Sequence, residues 1–158
     1  MTRTQHAASA IPPDVWKAKA GIEVLRDMIA GEAPAPPITE TLPFSLVEAE
    51  AGQVAFEGRP SAALLNPMGT VHGGFAMTLL DSAMTCAVLS MLAAGEGCTT
   101  VETKVSFVRP LLPSTGPVRA LASIVHAGAR VATAEGRLVD AAGRLYAHGS
   151  TTCLRFPL

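Results

Sequence analysis

The stretch NPMGTVHGGFAMTLLDSAMTCAVLSML, Asn66 to Leu92, decides how the rest of the chain is read. It opens as a polar, glycine-rich loop and turns into an apolar run with one charge, Asp81. His72, Gly73 and Gly74 stand at the junction. Glycine there lets the backbone turn sharply and approach another group without a Cβ in the way. The spacing predicts a helix from about Gly73 to Ala93. Its first turn would direct unpaired N–H groups and a partial positive charge into the loop. Such an end holds an anion or polarises a carbonyl oxygen.

A helix apolar around its whole circumference is expected to be buried on all sides. Asp81 must then find hydrogen-bond partners or take up a proton, because an isolated buried carboxylate is very costly. That makes it the first functional candidate, beside the plainer reading of a structural Asp held by Ser or Thr hydroxyls. A run of about 20 apolar residues also suffices to span a bilayer. Here Asp81 falls near the middle, glycines lie at both ends and no Lys or Arg flanks the run closely. Charge at mid-membrane and a missing basic flank argue against a span.

The composition narrows the class further. At 158 residues the chain suits one domain with a real core. It is 49% hydrophobic and 16% charged, which implies large buried surfaces, oligomeric ones included. A net charge of -1 argues against nucleic acid, which calls for a basic face. Cys86, Cys98 and Cys153 are odd in number and lack metal-ligand spacing. His6, His72, His126 and His148 do not pair with carboxylates at metal spacing, so no metal is expected. No charged-then-apolar leader opens the chain, and a reducing cytoplasm is the expected compartment.

Outward from the central stretch, Met1 to Pro13 reads as a loose arm. Asp14 is expected to cap a helix through Val15, Trp16, Ile22, Leu25 and Ile29, ending near Gly31. Trp16 reads as a packing anchor, and Ala33 to Pro37, with three prolines, as a linker. From Leu42 the pattern is that of strands, two of them around a turn near Ala51-Gly52. Beyond the central helix and the Gly95-Glu96-Gly97 break come four more, Cys98 to Arg109, Gly116 to Ala127, Arg130 to Asp140 and Arg144 to Leu154. In the first of these, Val101, Thr103, Val105 and Phe107 are expected on one face. Strands in runs with segregated helices indicate an α+β fold with an antiparallel sheet. One apolar helix and one sheet suggest that the sheet wraps the helix, its second face covered by another subunit.

Motif and strand order together become recognisable. Asn66, Gly69, His72-Gly73-Gly74 and Asp81 resemble the active-site segment of hotdog-fold acyl-CoA thioesterases. The likeness is to the 4-hydroxybenzoyl-CoA thioesterase superfamily, phenylacetate-pathway (PaaI-like) branch. Thr100-Val101-Glu102, Phe107-Val108-Arg109-Pro110, Val125-His126-Ala127-Gly128 and Gly143-Arg144-Leu145 also look like that branch. The resemblance covers about Leu42 to Phe156. It implies a hotdog domain over 41–158, with an N-terminal arm, extra helix and Pro-rich linker over 1–40.

The resemblance also implies roles where positions match. Asp81 corresponds to the catalytic carboxylate, nucleophile or general base for water, and Gly73 to the backbone N–H that holds the thioester oxygen. Asn66 corresponds to a polar group positioning carbonyl or water, and His72 to a residue positioning substrate or the leaving thiolate. Thr100 resembles a hydroxyl that supports the nucleophile or water. Gly74, His126 and Gly128 correspond to substrate-binding positions, and Arg109, Arg130 and Arg155 are candidates for coenzyme A phosphates. The basic residue that many relatives carry directly after the turn glycine is here Ala129 followed by Arg130. Phe75, Met77 and Met84 read as acyl-pocket lining or simply core, and Cys86 as packing. No cofactor is implied, coenzyme A being part of the substrate.

The chemistry carries its own constraint. Thioester hydrolysis needs a nucleophile or base and an oxyanion donor, both within about 3 Å of the reacting carbon. Gly73 and Asp81 are eight residues apart on one helix, roughly 12 Å along its axis at 1.5 Å per residue. One chain cannot bring both to the same carbonyl. A homodimer is therefore the minimal unit under this reading, with a homotetramer as the expected assembly and two sites per two-fold dimer. The rival readings are a hotdog hydroxyacyl dehydratase and a non-catalytic acyl-CoA-binding module. Asn66 and Asp81 at thioesterase spacing disfavour the first, and the retained Asp81 carboxylate disfavours the second. The acyl group itself is not legible.

Overall fold

The computed structural model describes residues 8–158. Three helices come first, α1 (Pro13–Ala18), α2 (Gly21–Ala30) and α3 (Ile38–Thr41), followed by β1 (Phe44–Glu50) and β2 (Gln53–Gly58). The central helix is α4 (Gly73–Leu89). Four strands complete the chain, β3 (Glu96–Phe107), β4 (Val118–Ala127), β5 (Val131–Asp140) and β6 (Leu145–Pro157). All six strands form one antiparallel sheet in the order β1-β2-β4-β5-β6-β3. The chain thus crosses beneath the sheet through α4, from β2 near one side to β3 at the opposite edge. This is the hotdog α+β fold that the motif implied.

The core lies between α4 and the inner sheet face. Leu79, Leu80, Ala83 and Met84 are fully buried, and they repeat at i, i+1, i+4 and i+5 along one face. The opposite face is not covered within the chain: Met77 is 40% exposed, and Asp81, Ser82, Thr85 and Cys86 are only half-buried. The expected burial on all sides is therefore corrected to burial on one side of a single chain. The helix also ends four residues earlier than expected. Buried Ser90 stops it, its hydroxyl donating to the Ala87 carbonyl (2.7 Å) and accepting from the Gly52 N–H (2.8 Å). No helix among the described residues is long and apolar enough to cross a membrane.

The single N-terminal helix expected from Asp14 to Gly31 is two helices with a break at Lys19-Ala20. Asp14 lies inside α1 rather than capping it. Glu23 starts α2, its carboxylate accepting from the Ala20 N–H at 2.8 Å. Gly21 explains the break. Its N–H donates to the Leu92 carbonyl at 3.0 Å, and a Cβ there would meet the Leu89 carbonyl oxygen at 1.9 Å. Only glycine lets α2 begin so close to the end of α4. The arm expected over Met1 to Pro13 lies, through residue 7, outside the described residues. Ser9 beyond it is tied down, donating from its N–H to the Ala35 carbonyl at 3.0 Å.

Leu25 and Val24 of α2 are 1% and 0% exposed, and Leu25 belongs to the same apolar cluster as α4. The N-terminal segment is therefore built into the core. Leu25→Ala should cost about 2–5 kcal/mol, as a large-to-small change in a close-packed interior does. Equilibrium urea unfolding checks this; a cost below about 1 kcal/mol would make α2 a peripheral addition.

Candidate active site

Asp81 sits midway along α4 and faces β3. Its Oδ1 accepts from two hydroxyls, Thr103 Oγ1 at 2.9 Å and Thr100 Oγ1 at 3.2 Å. In a regular strand, residues three apart point to opposite faces. β3 breaks that rule with a bulge: its register against β6 shifts between Thr100 and Glu102, leaving Val101 as the extra residue. The bulge brings both threonines to the helix face, the kind of re-aiming that bulges perform next to functional groups. It also displaces Val101, expected on the face of Thr103, which is 59% exposed.

Each hydroxyl has one proton to give. With Thr100 and Thr103 donating to Asp81, Thr85 is left to donate to Thr100 across their 2.8 Å contact. Thr103 is in turn 2.9 Å from the Thr151 hydroxyl. Asp81 Oδ2 has no partner among the described residues. One carboxylate oxygen is thus fixed and the other is free. Asp81 opens onto a chamber of about 420 Å³ walled mainly by apolar side chains.

The loop before α4 is held by Asn66. Its Oδ1 accepts from the Met68 and Thr70 N–H groups (2.9 and 3.2 Å), and its Nδ2 donates to Thr70 Oγ1 (2.9 Å). Asn66 therefore shapes the loop first, while also lining the cleft described below. His72 caps α4, Nδ1 accepting from the Gly74 N–H at 2.9 Å. That bond assigns the ring proton to Nε2 and commits the Gly74 N–H to the cap. The Gly73 N–H pairs with nothing among the described residues. It opens on a cleft of about 360 Å³ lined by Asn66, His72, Phe107, Arg109 and Tyr146. A Cβ on Gly73 would lie 3.1 Å from the Phe107 ring, so that ring covers the start of the helix closely. Arg109 stacks over Tyr146, 5.8 Å from its ring centre.

The remaining candidates lie at the other end of the sheet. His126, Gly128 and Arg130 belong to the β4–β5 hairpin, where a Cβ on Gly128 would meet His126 Nε2 at 2.9 Å. Arg155 is committed elsewhere: it donates to the Gly128 carbonyl (2.7 Å) and to both Glu96 carboxylate oxygens (3.0 Å each). It is not a free phosphate ligand. The candidates thus fall into a helix-start group, Asp81 with Thr100 in the middle, and a hairpin group.

The cysteines are unpaired, and burial pushes the Cys86 thiol up to about 12. Cys98 donates to Cys153, which with its burial holds the Cys98 thiol far above the usual range. Thr103, Phe107 and Tyr146 were missed as site residues in the sequence. The alternation in β3 placed Thr103 and Phe107 on one face, and that shared face was the available signal.

A family model for the Thioesterase superfamily matches residues 68–147, which contain α4, β3 and the loop from Met68 onward. The chain belongs to the thioesterase superfamily. A Halobacterium salinarum protein named as an esterase is 40% identical over 76 residues, 47% of this chain and 48% of that protein. The chain thus spans about half the length of this curated relative. The crystal structure of a phenylacetic acid degradation-related protein from Ralstonia eutropha JMP134 is similar at 31% identity and TM-score 0.75. It covers 83% of this chain and 98% of that one. The PaaI protein of Escherichia coli, at 18% identity and TM-score 0.74, covers 85% of this chain and 95% of its own, and shows the shared fold. The Ralstonia likeness agrees with the PaaI-like resemblance of the residues.

In this thioesterase-family site Tyr146 is fixed from behind. Its hydroxyl donates to Asp140 Oδ2 at 3.1 Å, and Arg144 Nε donates to the same oxygen at 2.7 Å. Burial opposes ionisation of Asp140. Hydrogen bonds from the Arg144 N–H and guanidinium, the Tyr146 hydroxyl and the Ala142 N–H outweigh it and hold the carboxyl down at about 2. The stabilisation is present above the ordinary aspartate value of 3.8 and is lost as pH falls through about 2. Asp140→Asn should lower the denaturant midpoint at pH 7, the difference from the unaltered protein closing as pH falls from 4 to 2. A difference independent of pH would assign the loss to something other than this charge.

Proposed function

We propose that the protein is an acyl-CoA thioesterase, hydrolysing a thioester to a carboxylic acid and free coenzyme A. The observation that carries this reading is Asp81, a half-buried carboxylate with Oδ1 fixed by two threonines and Oδ2 free at the wall of an apolar chamber. The free oxygen takes a proton from water or attacks the thioester carbon; both roles use the same lone pair. Gly73 supplies the complementary part, an unpartnered N–H at a helix start, suited to the oxygen that gains charge in the transition state. Asn66 keeps the loop that presents it in place. His72 Nδ1 is spent on the helix cap, which leaves only Nε2 to face substrate and weakens the dehydratase alternative.

The two parts meet between chains. β3 lies at the edge of the sheet, twelve residues long, and such an edge invites pairing with another strand. Two-fold antiparallel pairing of β3 with a second copy would set the α4 helices side by side, running in opposite directions. Gly73 of one protomer then approaches Asp81 of its partner. The same operation brings one chain's hairpin end, with His126, Gly128 and Arg130, alongside the other's helix start and Arg109. Coenzyme A would bind along that seam, its phosphates near Arg109 and Arg130. Pairing of the outer sheet faces through Leu121, Val125 and Val131 would complete a homotetramer; these side chains are 41%, 63% and 44% exposed. We place the protein in the cytoplasm, where its free cysteines stay reduced.

Free-thiol release from acetyl-, octanoyl-, palmitoyl- and phenylacetyl-CoA tests the reaction. Asp81→Asn should lower turnover about 10²–10⁴-fold, the range of a lost general base, with fold and mass in solution unchanged. Thr103→Val, which removes one charge-assisted hydrogen bond to Oδ1, should lower kcat about tenfold. An Asp81→Asn protein that matches the unaltered rate would end the assignment. A monomer of full activity in analytical ultracentrifugation would end the shared-site mechanism.

A further inference from the structure

The chamber beside Asp81 is not built from the shared family domain alone. Met28 of α2, Pro36 of the following loop, Ile38 of α3 and the aromatic pair Phe44–Phe56 form much of its wall. Phe44 and Phe56 belong to β1 and β2 of the sheet, whereas Met28, Pro36 and Ile38 precede it. Phe44 and Phe56 are buried floor residues, at 6% and 3% exposure. Ile38 is the opposite, a large apolar side chain 47% exposed on the chamber. Residues 36–42 are nonetheless held in shape. The Thr39 hydroxyl and N–H both donate to the Pro36 carbonyl (2.8 and 3.0 Å), and the Leu42 N–H donates to the Ile38 carbonyl (3.0 Å). Ile38 thus stands on a fixed backbone as an apolar, half-exposed part of the chamber wall in the single chain.

The lining also discriminates by charge. Among the described residues of this chain, Asp81 is its one charged lining side chain; the other polar groups are hydroxyls and thiols, such as Ser82 and Thr85. A second carboxylate on the acyl group would meet Asp81 with no cation among these residues to offset it.

We propose that Met28, Pro36 and Ile38 are specificity-determining residues, the N-terminal segment acting as a wall that admits uncharged apolar acyl groups and limits their length. This rests on the thioesterase reading and deepens it. The acyl chain runs from the thioester carbon at Asp81 into the chamber and stops against the N-terminal segment. In an apolar pocket one methylene too many or too few changes kcat/KM roughly 10-fold or more, so the wall's position is read directly in the chain-length profile.

The test is kcat and KM for straight-chain acyl-CoA thioesters from two to sixteen carbons, with adipyl-CoA against hexanoyl-CoA as the charge pair. Ile38→Ala and Met28→Ala should move the optimum to chains about two to three carbons longer. Ile38→Trp should move it shorter, lowering kcat/KM for long chains at least tenfold more than for acetyl-CoA. Hexanoyl-CoA should exceed adipyl-CoA at least tenfold in kcat/KM. Ile38 is exposed, so its variants keep the fold whether or not Met28→Ala does. An unchanged optimum in both Ile38 variants overturns the wall, and equal rates for the charge pair overturn the exclusion of charge. An unaltered protein that cleaves no thioester in the series fails the underlying reading instead, and the inference falls with it.

Discussion

Placing one carboxylate on an otherwise uncharged helix is the constraint from which the rest of the site follows. Among apolar neighbours an unpaired Asp81 would be costly, and no basic side chain among the described residues pairs with it. The chain solves this with one additional residue in β3. The bulge at Val101 turns Thr100 and Thr103 to the same side, and both hydroxyls reach Oδ1. Both donors are neutral and both go to Oδ1, so Oδ2 is left open to the chamber.

This arrangement works only if α4 is held at one height and rotation against the sheet. Gly58 of β2 is where that closeness is set, since a Cβ there would meet Leu79 Cδ2 at 2.5 Å. At the helix start the Phe107 ring lies over Gly73, and at its end Ser90 ties the chain to the β1–β2 turn. The helix is thus located at its two ends and its middle. Its direction follows: the Gly73 N–H opens on one cleft, while Asp81 opens on a separate chamber. The roughly 12 Å between them is a consequence of helical rise and cannot be relaxed within one chain.

Much of this was legible in the sequence because local rules carried it. The strands, their order along the chain and the helix from Gly73 follow from alternation, turn residues and a glycine-rich junction. Asp81 stood out as the single charge in an apolar run. What was not legible depends on contacts between distant elements. The break before Gly21 comes from the Leu89 carbonyl, some seventy residues away in sequence, and local periodicity carries no trace of it. The bulge at Val101 breaks an alternation that the residue types themselves suggest, so Thr103 was read as a face residue and missed as a partner of Asp81. Likewise a helix apolar all round says that every side is covered, without saying whether its own chain does the covering.

The two parts of the chain also divide the work in a way that bears on how such a site can diversify. Residues 68–147 contain α4, the bulged strand, the turn that fixes Tyr146 and the loop apart from Asn66, and hydrogen bonds couple the geometry of these parts. Met28 and Ile38 meet the chamber through apolar contact and lie outside that stretch. A change of volume at the half-exposed Ile38 alters the space beside Asp81 with little demand on the packing of α4. Changes inside α4 have no such freedom, because Leu79, Leu80 and Met84 are fully buried against the sheet and any new volume there shifts the helix itself. Room for change of volume beside Asp81 is therefore greatest at Ile38, which is half exposed, and least along the inner face of α4.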